Sequence, residues 1–133
     1  KIFALKGYEY NDRLAILSKY SQFAKYITNQ KINIILAVVG MIESPRIWNR
    51  LNIDNYVEIY IKSKIENIVN LNKKKIYHRK KIGKIIGIDI KPEYPTNPDI
   101  TIINSFKSSS DKLSKMLMRK INILLNKKPY NKI

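Results

Sequence analysis

The stretch GKIIGIDIKPEYPTNPDITI, residues 83–102, differs from the Lys-, Asn- and Ile-rich sequence around it. A Gly-Ile-Asp triplet is followed by three prolines, Pro92, Pro95 and Pro98, and then by a short β-branched run. Proline restricts φ and lowers the entropy that a loop loses when it becomes ordered. The stretch therefore predicts a stiffened loop leading into a strand. These residues alone leave open whether the loop holds a ligand or only joins a surface excursion to an edge strand.

Helices and strands alternate along the chain. The nearly continuous apolar run at 32–40 is typical of a strand covered on both faces. The predicted helices are 11–28, 44–51, 64–69 and 111–125, and the predicted strands are 32–39, 56–62 and 99–103. The alternation, with no hairpin turn of the Asn-Gly type, predicts one domain over residues 1–133 with a three-layer α/β fold around a parallel sheet.

Local signals support the first and last helices. Asn11-Asp12 and Ser110-Asp111 are typical of helix starts. Apolar residues recur at three-to-four spacing and should form buried faces. The expected buried residues are Leu14, Leu17, Tyr20, Ala24 and Ile27 in the first helix, and Leu113, Met116, Leu117, Ile121 and Leu124 in the last. The basic run at 72–84 has little apolar periodicity and is expected to form a helix-loop excursion at the surface.

Composition excludes several classes of function. The 133 residues include no Cys and one His, which rules out disulfides and thiolate metal sites, and we expect no metal site built by the chain. No apolar run approaches the ~18 residues of a membrane span, so the expected location is the cytoplasm and no membrane partner is expected. The formal net charge of +16 keeps nucleic acid open as a partner. It is not favoured, because most of the cations are lysines rather than bidentate arginines.

Four motifs carry a resemblance to a known family. They are GYEYNDR at 7–13, YVEIYIKSKIENI at 56–68, LNKKKIYHRK at 71–80 and IGIDIKPEYPTNPDITI at 86–102. In this order they resemble the adenylylsulfate kinases, which are P-loop kinases that phosphorylate the ribose 3′-hydroxyl of adenylyl sulfate with ATP. The last motif is the most specific, because its Gly, Ile, Asp, Pro, Asn, Pro and Asp all fall in the family's order before a strand.

The resemblance implies a P-loop type of parallel sheet, a small nucleotide substrate, ATP and Mg²⁺ as cofactors, and a role such as sulfate assimilation; a homodimer stays open. It also implies site residues. Lys84 is the expected catalytic residue, stabilising the transferring phosphoryl group. The expected substrate-binding residues are Tyr8, Arg13, Ile85, Gly87, Ile88 and Asp89. Asn104 and Phe106, after the last strand, are expected on the ATP side.

The residues themselves leave alternatives open for several of these roles. Arg13 could bind a substrate phosphate or pair with Glu9. Tyr8 could stack on the substrate base or pack as a hydrophobic staple. Asp89 could orient the ribose or cap its own loop, which is the role we favour. Phe106 could contact adenine or pack in the core.

The sequence also departs from the family pattern. GxxxxGK followed by Ser or Thr, whose amides and lysine hold ATP phosphates, does not occur. We therefore expect that the N-terminal strand and P-loop, roughly a quarter of the domain, lie upstream of Lys1, and that the 133-residue chain alone is inactive and exposes apolar surface. Ile16 replaces an asparagine, and Leu71-Asn72 replaces the lid Arg-Asp pair.

Because these positions grip the substrate in the family, the expected acceptor is adenylyl sulfate or a related activated nucleotide, for example one used in surface-polysaccharide modification. The alternative is a basic RNA-associated protein that keeps a kinase-like skeleton without catalysis.

Overall fold

A computed structural model describes residues 7–71, 86–87 and 89–127, and the described residues form two compact units. The first unit is formed by the described residues within Lys1–Val57 and Arg79–Asn97. The second is formed by those within Glu58–His78 and Pro98–Ile133. The predicted roles of Lys84, Ile85 and Ile88, and the predicted excursion at 72–84, lie outside the described residues.

The first unit contains two helices packed against each other, α1 (Tyr10–Asn29) and α2 (Glu43–Asn52). Leu17, Ser21 and Ala24 of α1 are buried, at the three-to-four spacing expected for one helix face. Leu14, Tyr20 and Ile27 are half-buried. In the contact between the helices, the Lys25 ammonium lies 5.7 Å from the centre of a Trp48 ring. The predicted buried face of α1 is therefore confirmed for Leu17 and Ala24, and the structure adds Ser21 to it.

The second unit contains a two-stranded parallel sheet of β1 (Ile59–Lys62) and β2 (Ile100–Ile103). Ile59 pairs with Ile100, and the register continues to the pair Lys62 and Ile103. β-branched side chains favour this pleated geometry. The parallel pairing of the two predicted strands is confirmed, although each strand begins later than the sequence indicates.

Two further helices belong to the second unit, α3 (Ile65–Leu71) and α4 (Ser110–Lys127). α4 packs on β2, whose Ile100 and Ile102 are buried. On the predicted apolar face of α4, Met116 is exposed and the other four residues are half-buried. The helix starts one residue earlier than predicted, because the Ser109 hydroxyl accepts the N–H of Lys112 and so caps it. None of the helices described is long and apolar enough to cross a bilayer.

The prediction of a buried strand at 32–39 was wrong for the described structure. This segment forms no strand, and most of its apolar side chains are exposed. Ile35 is 95% exposed. A segment becomes a strand only where a neighbouring strand completes its hydrogen-bond ladder. The sheet of the described residues contains only β1 and β2. The apolar run therefore identified a segment suited to burial but not its partner.

Candidate functional site

The start of α1 is built by a capping box. Glu9 is the N-cap, and its backbone N–H donates to Asp12 Oδ2 at 3.1 Å while its carboxylate accepts the N–H of Asp12. The predicted cap at Asn11-Asp12 is corrected to Glu9, with Asp12 in the first turn. A Cβ at Gly7 would overlap the Asp12 carboxylate, so a larger residue there would displace this side chain from its place at the helix start. The motif GYEYNDR thus fixes the helix start.

The structure brings Tyr8 and Arg13 together at this helix start. Arg13 Nε donates to the Tyr8 carbonyl oxygen at 3.0 Å, and the guanidinium carbon lies 5.7 Å from the centre of the Tyr8 ring. Arg13 is half-buried, whereas Tyr8 is exposed. A guanidinium next to an aromatic ring can bind the phosphate of a nucleotide while the ring stacks on its base.

The proline-rich loop, residues 86–97, begins with a tight turn. The N–H of Gly87 donates to the Ile90 carbonyl at 2.9 Å, and Ile86 and Ile90 form an isolated parallel bridge. Gly87 has a φ of 92°, a conformation that side chains with a Cβ rarely adopt. Asp89 lies in the same turn and is exposed. The turn explains why the Gly-Ile-Asp triplet contains glycine.

Glu93 connects this loop to the rest of the first unit. Its carboxylate accepts the Tyr10 hydroxyl at 3.2 Å and the N–H of Glu43, the first residue of α2, at 2.5 Å. Its own backbone N–H donates to the Met41 carbonyl at 3.1 Å. Glu93 was not among the site residues predicted from the sequence. The signal was its place between the prolines of the most specific motif.

Arg46 also bonds to Glu93 and to the segment that precedes α2. One guanidinium nitrogen donates to the carbonyl oxygens of Gly40 and Ile42, at 2.5 and 2.9 Å, and the other donates to the Glu93 carbonyl at 2.8 Å. The planar fork of arginine suits several carbonyl acceptors at once. This residue was also missed, because its partners are backbone groups that leave no pattern in the sequence.

Asn104 and Phe106 lie together after β2, in the second unit. The Asn104 side-chain oxygen accepts the N–H of Phe106 at 2.9 Å, and the Asn104 N–H donates to the Lys62 carbonyl at 2.8 Å. Phe106 has a φ of 62°, which is uncommon for a bulky residue, and is 40% exposed. Phe106 is therefore not packed in a core, and its contact with a nucleotide base stays a prediction.

The described residues do not assemble a metal centre. Within them, no three His, Cys, Asp or Glu side chains lie close enough together to hold a metal ion. Mg²⁺ in kinases is usually held by one or two carboxylates together with the substrate phosphates. We therefore assign no Mg²⁺ ligand to the described chain and derive no chemical step through this ion.

Comparison with a solved structure defines the class of fold. The chain matches the APS kinase CysC of Mycobacterium tuberculosis, solved in complex with AMPPNP and APS, with a TM-score of 0.72. The match covers 87% of this chain and 70% of that chain at 18% sequence identity. The fold is therefore that of the P-loop nucleotide kinases, an α/β class with parallel strands, as predicted.

Sequence comparison then defines the family. The adenylylsulphate kinase family model matches residues 4–103, so the chain belongs to this family. It is 26% identical over 118 residues to a cytidine diphosphoramidate kinase of Campylobacter jejuni, covering 86% of this chain and 69% of the relative. It is 25% identical over 117 residues to an adenylyl-sulfate kinase of Picosynechococcus, covering 84% of this chain and 66% of the relative. The chain thus spans about two thirds of the length of these relatives.

Proposed function

We propose that the protein transfers the γ-phosphoryl group of ATP to a sugar hydroxyl of a small activated nucleotide. The observation that supports this best is the set of contacts at the start of α1. Arg13 is held against Tyr8 there, and Glu93 links Tyr10 to the proline-rich loop. Residues predicted to bind the acceptor therefore belong to segments that are joined within one unit.

In the proposed reaction the chain contributes positioning and electrostatics, which dominate phosphoryl transfer. The acceptor hydroxyl oxygen forms a bond to the γ-phosphorus, the bond from that phosphorus to the bridging oxygen breaks, ADP leaves and the hydroxyl proton passes to water. Arg13 binds an acceptor phosphate, and Tyr8 offers its exposed ring to the base. Lys84 stabilises the transferring group, and Asn104 with Phe106 contacts ATP.

Two acceptors are favoured by the names of the relatives, adenylyl sulfate and cytidine diphosphoramidate. Ile16 follows Arg13 by one helical turn, where the resemblance leads us to expect an asparagine. An isoleucine offers no hydrogen bond to a base or ribose. This departure is the reason why we do not restrict the acceptor to adenylyl sulfate, and we propose either of these two nucleotides or one closely related to them, as in surface-polysaccharide modification.

The test is a phosphotransfer assay on the complete natural protein. ADP formation is measured with ATP, Mg²⁺ and each member of a panel that contains both nucleotides and plain AMP and CMP. Saturable ADP release with one activated nucleotide, together with a new phosphate on its sugar by mass spectrometry, is the expected result. ATP consumption without a phosphorylated acceptor anywhere in the panel would contradict the proposal.

A further inference from the structure

We propose that Glu93 is a positioning residue that joins the proline-rich loop to the starts of α1 and α2 and so sets the geometry of the acceptor site. The inference rests on the proposed function and names a residue beyond those expected to touch the substrate. Glu93 does not need to contact the acceptor. It acts through the segments that it holds.

The contacts of Glu93 reach two distant parts of the sequence, Tyr10 at the start of α1 and residues 41–46 at the start of α2. Its two carboxylate oxygens are divided between Tyr10 and Glu43, while its backbone N–H and carbonyl are bonded to Met41 and Arg46. All four polar groups of one half-buried residue are thus used in long-range bonds. Residues whose polar groups are divided in this way fix the relative position of the segments that they join.

The bond to α2 replaces a local cap. The N-cap residue of α2 is Ile42, which has no side-chain oxygen to accept the first free N–H groups of the helix. The Glu93 carboxylate, 50 residues further along the chain, accepts the N–H of Glu43 instead. A carboxylate is also favoured at the positive end of the helix dipole. The start of α2 therefore depends on the loop being in place.

The bond to α1 reaches the segment that carries the predicted acceptor residues. Tyr10 is two residues after Tyr8 and three before Arg13, in the first turn of the helix. The pKa of Tyr10 is raised above its ordinary value of 10.0, first by desolvation and then by the hydrogen bond and negative charge of Glu93. A tyrosine is already neutral at neutral pH, and the rise keeps the Tyr10 hydroxyl in the protonated form that donates to Glu93 at still higher pH.

The loop itself is stiff enough to transmit the position of Glu93. Pro92 and Pro95 flank it closely, and proline removes backbone freedom on both sides. Gly87 and Asp89 lie four to six residues before it, in the turn that opens the loop. Fixing Glu93 thus limits the positions available to this turn, which contains two of the residues that the family resemblance implies for substrate binding.

Steady-state kinetics on the complete natural protein separate positioning from simple stability. The variants are Glu93→Ala, Glu93→Gln, which keeps one acceptor oxygen, and Tyr10→Phe, which removes one of the two side-chain bonds. Glu66→Gln on α3, an exposed carboxylate in the second unit, is the control. We expect the acceptor KM to rise by about tenfold or more in Glu93→Ala, less in the other two variants, with the KM for ATP changed less than about twofold.

A readout without catalysis makes failure of the inference distinct from failure of the proposed function. The exchange of the Glu43 amide proton, followed by NMR, should be slow in the parent and in Glu66→Gln and at least about tenfold faster in Glu93→Ala. If the parent phosphorylates no acceptor, this measurement still supports or overturns the linkage. Unchanged exchange at Glu43, or an equal rise of both KM values, would overturn it. Should Glu93→Ala fail to fold, Glu93→Gln decides on the same criteria.

Discussion

Arg13 is the side chain whose removal most directly tests the acceptor site. If its guanidinium holds an acceptor phosphate, Arg13→Ala should lower kcat/KM for the acceptor by an amount equivalent to ~1.5–3 kcal/mol, the range of a charge-assisted hydrogen bond. The KM for ATP should hardly move, since Arg13 is not assigned to the ATP side. Initial rates with each substrate varied in turn measure both effects.

The matched control for this variant is Arg119→Ala, because Arg119 is exposed on α4. It should leave both kinetic constants unchanged. Equal damage to both substrates in Arg13→Ala would instead indicate a folding defect, since Arg13 also bonds to the Tyr8 carbonyl.

Gly87 should be needed for its backbone conformation. At a φ of 92°, an alanine Cβ is strained, and Gly87→Ala should lower the free energy of unfolding by ~1–2 kcal/mol. Urea denaturation measures the change. Gly40→Ala is the control, because Gly40 is not left-handed and its added Cβ would meet Val38 at an ordinary 3.4 Å. Equal stability of the two variants would show that the turn at Gly87 relaxes.

At the scale of the elements, Asp99 shows why the last motif has an aspartate directly before β2. Its carboxylate accepts the N–H of Glu58 at 2.8 Å, just before the first residue pair of β1 and β2. Asp99→Ala would leave this half-buried N–H without its partner, so we expect a loss of ~1–3 kcal/mol in the free energy of unfolding. Asp99→Asn keeps an acceptor oxygen and should lose less.

Urea denaturation, with the exposed Asp54→Ala as the control, tests this expectation. A change in Asp99→Ala no larger than that in Asp54→Ala would mean that the ladder begins without help from the carboxylate.

The helices were predictable from the sequence because their signals are local. The period of apolar residues and the residue types typical of helix starts placed α1, α2 and α4 within two residues of their observed ends, although the N-cap residues of α1 and α2 were not predicted. Strands depend on a partner elsewhere in the chain, so β1 and β2 were found but shortened, and 32–39 was assigned a ladder that the described residues do not provide.

The same distinction divides the candidate site. Tyr8 and Arg13 are five residues apart at a helix start, and their contact follows from local geometry. Glu93 reaches Glu43 across 50 residues and Tyr10 across 83. Hydrogen bonds between residues so far apart in the sequence, made partly to backbone groups, produce no residue pattern from which they could be predicted. The motif indicated that the loop mattered, but only the structure gave its partners.

For the whole molecule, the formal net charge of +16 bears on nucleic-acid binding. A lysine-rich surface attracts phosphate backbones without reading sequence. For a kinase we expect only weak RNA binding, with a Kd of ~10⁻⁴–10⁻⁶ M at physiological salt and a steep decrease in affinity as salt rises. Fluorescence anisotropy across a salt series measures this. Nanomolar affinity at physiological salt would favour the alternative of an RNA-associated protein.

The exposed apolar side chains at 32–39 should govern how the 133-residue polypeptide behaves on its own. Contiguous apolar surface is costly in water and promotes association, and Ile35 is almost fully exposed. We expect this polypeptide to self-associate at micromolar concentration. Ile35→Lys combined with Val39→Lys should shift it towards monomer in sedimentation velocity. The control variant, Gln22→Lys with Asn122→Lys, adds the same charge at exposed helical positions and should still associate. A monomeric parent with a cooperative melt would show that the exposed run is tolerated in water, and the link between this segment and association would then be wrong.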